Sequence, residues 1–362
     1  MGRFIAVFSD LEDPRASNAQ HNLLEIIFMA LAAILCGAES CADMADFGRA
    51  KEVLLRQLLR LEHGIPSHDT FSRVFRRLDP EAFEAAFRRF MAAFAGALGG
   101  VVAIDGKAVR GAYERGRRST PLHLVNVWAA EARLAVAQRK APGRNEVAGA
   151  LEALKLVSLD GCILTADALH CHRDMARTVL ERGGEYVLAL KENQSGLFAA
   201  ARRTFQAAAQ RETFEQKATT SHGRSESRCA SVVSDPTLAQ TLDFPGLCAV
   251  ARLDACRQAE GKEAQVTTRY FLLSSPLTAE KLLDVVRTHW SIENRLHWVL
   301  DVVFDEDRAR NRKDNGPENL ALLRKLALNL LRSHPDKASL RRKVKRAGWD
   351  DEFLLSLFTH MR

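Results

Sequence analysis

None of the seven cysteines stands in a Cys-x-x-Cys pair, and the count is odd, so neither a disulfide framework nor a zinc ribbon is expected. Long hydrophobic runs are also missing. The longest, Ile26 to Cys36, is too short for a bilayer, and it follows Asp10, Glu12 and Asp13, which argues against a secretory signal. A cytoplasmic protein with no membrane partner is the expectation. There is no internal repeat or low-complexity tract, and no serine or cysteine has the partners of a nucleophilic triad. What remains is 362 residues, 47% apolar and 27% charged, enough to bury a sizeable core in two or three units.

The charge is unevenly spread. Arg308 to Arg346 holds 13 Lys/Arg against 3 Asp/Glu, a net of +10, which leaves −3 for the rest of a chain whose total is +7. A basic tail on a near-neutral body suits a polyanion, nucleic acid foremost, although a charge run can also be a solvated face.

Residues 1–97 read as a helical domain. Leu23–Cys36 is an apolar helix, Ala42–Leu61 a second, and Ser67 an N-cap for a short basic helix ending at Arg76 and Arg77. Asp79-Pro80 opens another. These helices fit either a helix-turn-helix-like DNA reader or a small packing bundle. After "GALGG" the pattern alternates strand and helix through "VVAID", "CILTAD" and "EYVLALK", which predicts an α/β unit over 98–335 with partly parallel strands. A mostly β insertion is expected at about 196–275, and a basic helical tail at 336–362.

Asp105 and Asp167 each end an apolar strand, where ligands of open α/β sheets gather. Either alone can simply cap a turn. Together on neighbouring strands they repel, unless one keeps a proton or a cation lies between them. Hard oxygen donors favour Mg²⁺ or Mn²⁺. Glu293 offers a third carboxylate beside the apolar face of Val285, Ile292, Leu296, Val299 and Val303. A zinc set of His289, Glu293 and His297 is a rival, but its outer pair spans ~12 Å on a straight helix. His170-Cys171-His172 reads as a turn and helix start.

Three blocks carry a family resemblance: "AIDGKAVRGA", the stretch from "RNEVAGALEAL" to "LALKENQ", and the stretch from "HWSIENRLHWVLDVVFDED" to "NLALLRKLALNLLR". With "DPR" and "GIPSHDTFSRVF" near the N-terminus, the chain resembles the DDE transposases of insertion sequences. More narrowly, it resembles the ISAs family and H-repeat-associated relatives. The resemblance implies a ribonuclease-H-like core in which Asp105, Asp167 and Glu293 hold two Mg²⁺ or Mn²⁺ ions. It also implies phosphodiester hydrolysis at transposon ends and joining of the 3′ ends to target double-stranded DNA, by a homo-oligomer on the DNA.

The broader superfamily places Tyr, Arg and Lys around its glutamate; Val286, His289 and Leu300 stand there instead. His289 takes the arginine's place, and Arg295, Lys191 and Lys107 are candidates for the lysine's role. Lys107, Arg110, Lys191, Arg224 and Arg228 are the expected DNA contacts, and for Trp290 and Trp298 packing is favoured over base stacking. The other readings are a DNA-binding relative without catalysis, and a metal-dependent nuclease that cuts without joining.

Overall fold

The structure is a computed structural model that describes residues 2–95, 98–113, 121–221, 224–259, 261 and 263–360. The expected boundary at 97/98 adjoins residues 96–97, which lie outside the described residues. So do His222 and Gly223 of the "HGRSESR" stretch and the last two residues of the basic tail.

Six helices come first: α1 (Gly2–Phe8), α2 (Leu23–Leu35), α3 (Cys41–Ala50), α4 (Glu52–Leu55), α5 (His68–Arg77) and α6 (Pro80–Ala95). The Asn22 side chain caps α2, whose residues are all buried except Leu24 and Glu25. Each fully buried Leu or Ile there contributes roughly 1.5–3 kcal/mol. Ser67 caps α5 through the Thr70 N–H, as its position predicts. The helix expected over 42–61 breaks instead at Lys51 and ends at Leu55. The Glu25 carboxylate takes the Arg60 and Leu61 backbone N–H groups, and Leu61 turns to a positive φ of 46°.

A mixed α/β unit follows, built on one nine-stranded sheet of order β3-β2-β1-β4-β5-β9-β8-β7-β6. The strands are β1 (Gly100–Tyr113), β2 (Pro121–Ala129), β3 (Leu134–Lys140), β4 (Cys162–Ala166), β5 (Glu185–Leu190), β6 (Glu212–Ser221), β7 (Arg224–Ser234), β8 (Ala249–Ala259) and β9 (Gln265–Leu273). Strands β1, β4 and β5 pair in parallel, and the other pairings are antiparallel. The segment expected as an insertion therefore extends the same sheet, with β9 hydrogen-bonded to β5.

Helices α7 (Glu146–Leu154), α8 (Arg173–Glu181), α9 (Ser195–Ala207) and α10 (Leu238–Thr241) connect these strands, and α11 (Ala279–His289) and α12 (Trp298–Val303) follow them. Helix α13 (Gly316–Ser333) is buried along nearly its whole length, between α2, α5 and α6 on one side and β2 and β3 on the other. Helices α14 (Leu340–Trp349) and α15 (Asp351–Thr359) pack back onto α13, and α14 also reaches α2. One apolar core runs from Phe4 to Leu357, so the three expected stretches share it. No helix among the described residues is long and apolar enough to cross a membrane.

This packing takes part of the basic run out of solvent, while Arg308, Arg310, Arg312, Arg341, Arg342 and Lys345 stay exposed. Arg324, Lys325 and Lys343 are buried. Lys325 Nζ donates to Gln138 Oε1 at 2.6 Å. Lys343 Nζ donates to the Leu331 and His334 carbonyls at the end of α13, where a cation complements the helix dipole. Arg332 lies over the Trp128 ring at 4.7 Å.

Candidate active site

The sheet register explains how the carboxylates meet. Ala103 of β1 pairs with Thr165 of β4, and Thr165 with Val187 of β5. Side chains two residues apart leave a sheet on the same face. Asp105 and Asp167 therefore project beside each other, next to Ala189 and Lys191 of the β5 strand and its end. Ala189 pairs with Phe271 of β9, so Phe271 and Arg269 continue that face. Val286, His289 and Trp290 of α11 and its end cover it, and Glu293 closes the rim. These side chains line one cavity of about 240 Å³.

Two details depart from expectation. Asp105 lies within β1, not at its end, because β1 runs on to Tyr113 against β2 after β4 has peeled away at Ala103. Glu293 lies in a π-helical turn, Ile292–His297, where the Trp298 N–H bonds to the Glu293 carbonyl. Such turns insert one residue and re-aim side chains. The two histidines accordingly part: His289 Nδ1 sits 3.1 Å from Thr165 Oγ1, and His297 lies against Asp105 and Asn126. They form no zinc set with Glu293, and among the described residues no three His, Cys, Asp or Glu side chains are gathered as a group that could hold a metal ion.

The electrostatics are unbalanced in one direction. Burial, then the charges of Glu146, Asp167 and Glu293, push the Asp105 carboxyl up to about 7. Burial holds His289 down at about 4 and His297 at about 3, so both rings are neutral at pH 7. Neither offsets the carboxylates. The donors are hard oxygens of like charge facing one cavity, which fits Mg²⁺ or Mn²⁺. Mg²⁺ in particular takes one or two carboxylates and completes its shell from water and substrate phosphate. Asp105, Asp167 and Glu293 border the open cavity and offer such oxygens.

A family profile described as "Transposase DDE domain" matches residues 96–330, and one described as "DDE_Tnp_1-associated" matches residues 5–91. The chain belongs to the DDE-domain transposase family. "Putative protein YbfL" of Escherichia coli K12 is 34% identical over 95% of this chain and 94% of its own length. "H repeat-associated putative transposase YhhI" of the same strain is 33% identical over 93% and 92%. "Uncharacterized protein in dhlA 3'region" of Xanthobacter autotrophicus is 42% identical over 70% and 89%. The resemblance drawn from the sequence blocks is borne out.

For the basic residues of this DDE-family chain the outcome is mixed. Lys191 lines the cavity and is exposed. Arg228 lines an adjoining groove of about 420 Å³ with Arg257, Arg269, Arg287 and Trp290, although it also pairs with Glu226 at 2.6 Å. Arg224 begins β7, opposite Ala259. Arg110 is exposed and its Nε lies 3.6 Å from Asp307. Arg295 is exposed and does not line the cavity.

One expectation is overturned. Lys107 does not face DNA: it is 7% exposed, with Nζ 2.6 Å from Asp301, 3.3 Å from Asp307 and 3.7 Å from Glu306. Three carboxylates from the segment after the π-turn already occupy it. His289 lines the cavity, where burial holds it down at about 4, and Arg269, which the sequence reading missed, stands on the same wall. Alternation in "TTRYFLL" puts Arg269 and Phe271 on one face, but only the pairing with β5 shows which face.

Proposed function

We propose that the chain is a DNA transposase that cuts phosphodiesters at transposon ends and joins the 3′ ends to target DNA, working as a multimer that holds two ends. Its residues 98–335 act as a ribonuclease-H-like catalytic unit; residues 1–97 and 336–362 support it and extend the DNA contact. The carrying observation is the convergence of Asp105, Asp167 and Glu293, remote in sequence, on one cavity, where their neighbouring charges help push Asp105 up to about 7. In-line displacement needs charge stabilised on both the attacking and leaving oxygens. Mg²⁺ or Mn²⁺ bound by these three carboxylates supplies Lewis acidity for both.

The chain's own groups do the positioning. Lys191 and Arg269 at the cavity wall attract the phosphates flanking the scissile bond. The groove with Arg228, Arg257 and Arg287 shares Arg269, Val286 and Trp290 with the cavity, so a backbone can pass from one to the other. Contacts of this kind carry sequence-independent affinity that falls with salt.

The test is nicking of a duplex bearing the element's ends. Wild type is expected to cut only with Mg²⁺ or Mn²⁺, and Asp105→Asn, Asp167→Asn and Glu293→Gln to bind without cutting. Binding with no cutting by any of them establishes a DNA-binding relative. Cutting without joining establishes a nuclease, and equal cutting by wild type and Asp105→Asn refutes the site.

A further inference from the structure

Behind the cavity lies a group that neither the comparisons nor the sequence reading assigned. Glu146, in the first turn of α7, is held by two histidines: His123 Nε2 lies 2.6 Å from one carboxylate oxygen and His170 Nε2 3.1 Å from the other. The His170 ring is fully buried, and its Nδ1 has no hydrogen-bond partner among the described residues. Its ring proton therefore belongs on Nε2, pointing at Glu146, because a second buried N–H would go unsatisfied. His170 Nε2 is also 3.9 Å from Asp167 Oδ1, so the chain of contacts runs from Glu146 to the second carboxylate of the site.

On its other side Glu146 lies against β1. A Cβ at Gly106 would fall 2.2 Å from the carboxylate carbon and within 2.5 Å of both oxygens. The glycine beside Asp105 is thus the space the carboxylate uses. Alternation along β1 places this contact on the face opposite Asp105. Glu146 does not line the cavity, yet among the carboxylates acting on Asp105 its electrostatic effect is the largest. A helix cap would need neither the two histidines nor the cradle at Gly106.

We infer that Glu146, fixed by His123 and His170, is a positioning residue of the metal site, acting through β1 and the Asp167–His170 turn to strengthen divalent-cation binding at Asp105 and Asp167. It contributes a permanent negative charge and holds the turn that carries Asp167. Outer partners of this kind commonly change metal affinity by about 10–100-fold. The inference rests on the metal-dependent reading above.

The test measures Mn²⁺ binding to the full-length protein without DNA, from the free Mn²⁺ electron-paramagnetic-resonance signal. Wild type is expected to bind, Asp105→Asn to lose that binding, and Glu146→Gln to keep the stoichiometry with a Kd raised about 10–100-fold. Wild-type binding lost in Asp105→Asn but unchanged in Glu146→Gln overturns this inference and leaves the metal reading standing. Fewer sites in Glu146→Gln at an unaltered Kd also overturns it, since that marks a purely structural role. No Mn²⁺ binding by wild type overturns both. If Glu146→Gln fails to fold by circular dichroism, Glu146→Asp, which draws the charge back from β1, decides. A Kd raised about 3–10-fold supports the inference, and an unchanged Kd overturns it.

Discussion

Replacing the central carboxylate should stabilise this protein while destroying its proposed activity, and the stabilisation should grow with pH. Asp105 has a folded value of about 7 against an ordinary 3.8, raised by burial and by three neighbouring carboxylates. The folded state therefore binds the Asp105 proton more tightly than the unfolded chain. That favours folding below about pH 4, and the advantage is lost as pH rises through about 7. Above both values, charging Asp105 costs the fold about 4 kcal/mol at about 1.4 kcal/mol per pH unit. Local relaxation and counterions reduce this to about 2–4 kcal/mol.

An unfolding entropy near 2.1 cal/mol/K per residue gives about 0.8 kcal/mol per degree for 362 residues. Asp105→Asn should then melt about 3–5 °C above wild type at pH 8.5 in EDTA, and only about 1–2 °C above it at pH 5. Differential scanning calorimetry across that range is the assay. Mn²⁺ should raise the wild-type melting temperature at pH 8.5 and leave that of the variant unmoved. A variant that melts lower than wild type at pH 8.5, or an offset independent of pH, would refute the claim that Asp105 is held against like charges.

Lys107→Met should lower stability by about 3–5 kcal/mol in guanidinium unfolding, because removing one partner strands buried charge. Glu306 is fully buried, and Lys107 lies 3.7 Å from its carboxylate; an unchanged midpoint would contradict this. Lys191→Ala should leave stability within about 0.5 kcal/mol. It should also reduce the salt slope of duplex binding by about one, measured by fluorescence anisotropy at several salt concentrations.

The parts legible in sequence share one property: their signal is local. Ser67 before a charged first turn, and Asp105 and Asp167 after apolar runs, could be read from their immediate neighbours. The parts that were not legible depend on partners far along the chain. Lys107 looks like a phosphate contact until Asp301, Glu306 and Asp307 are brought to it across some 200 residues. Arg324 and Lys325 read as basic surface, but α13 is central, and Gln138 of β3 receives Lys325. Glu146 carried no signal beyond that of an acidic residue in a first helical turn, which the helix dipole alone would explain.

The three carboxylates of the proposed site are also not held alike. Asp105 is fixed by the β1–β2 pairing on both sides of it, through Ile104–Val127 and Gly106–Val125. Asp167 caps its own short turn, its Oδ1 accepting the Leu169 N–H at 3.0 Å. Glu293 is exposed on a π-turn. On the proposed reading, β1 and the tied Asp167 turn are the fixed parts of the site, and the exposed Glu293 is the donor with most freedom to adjust to a bound phosphate.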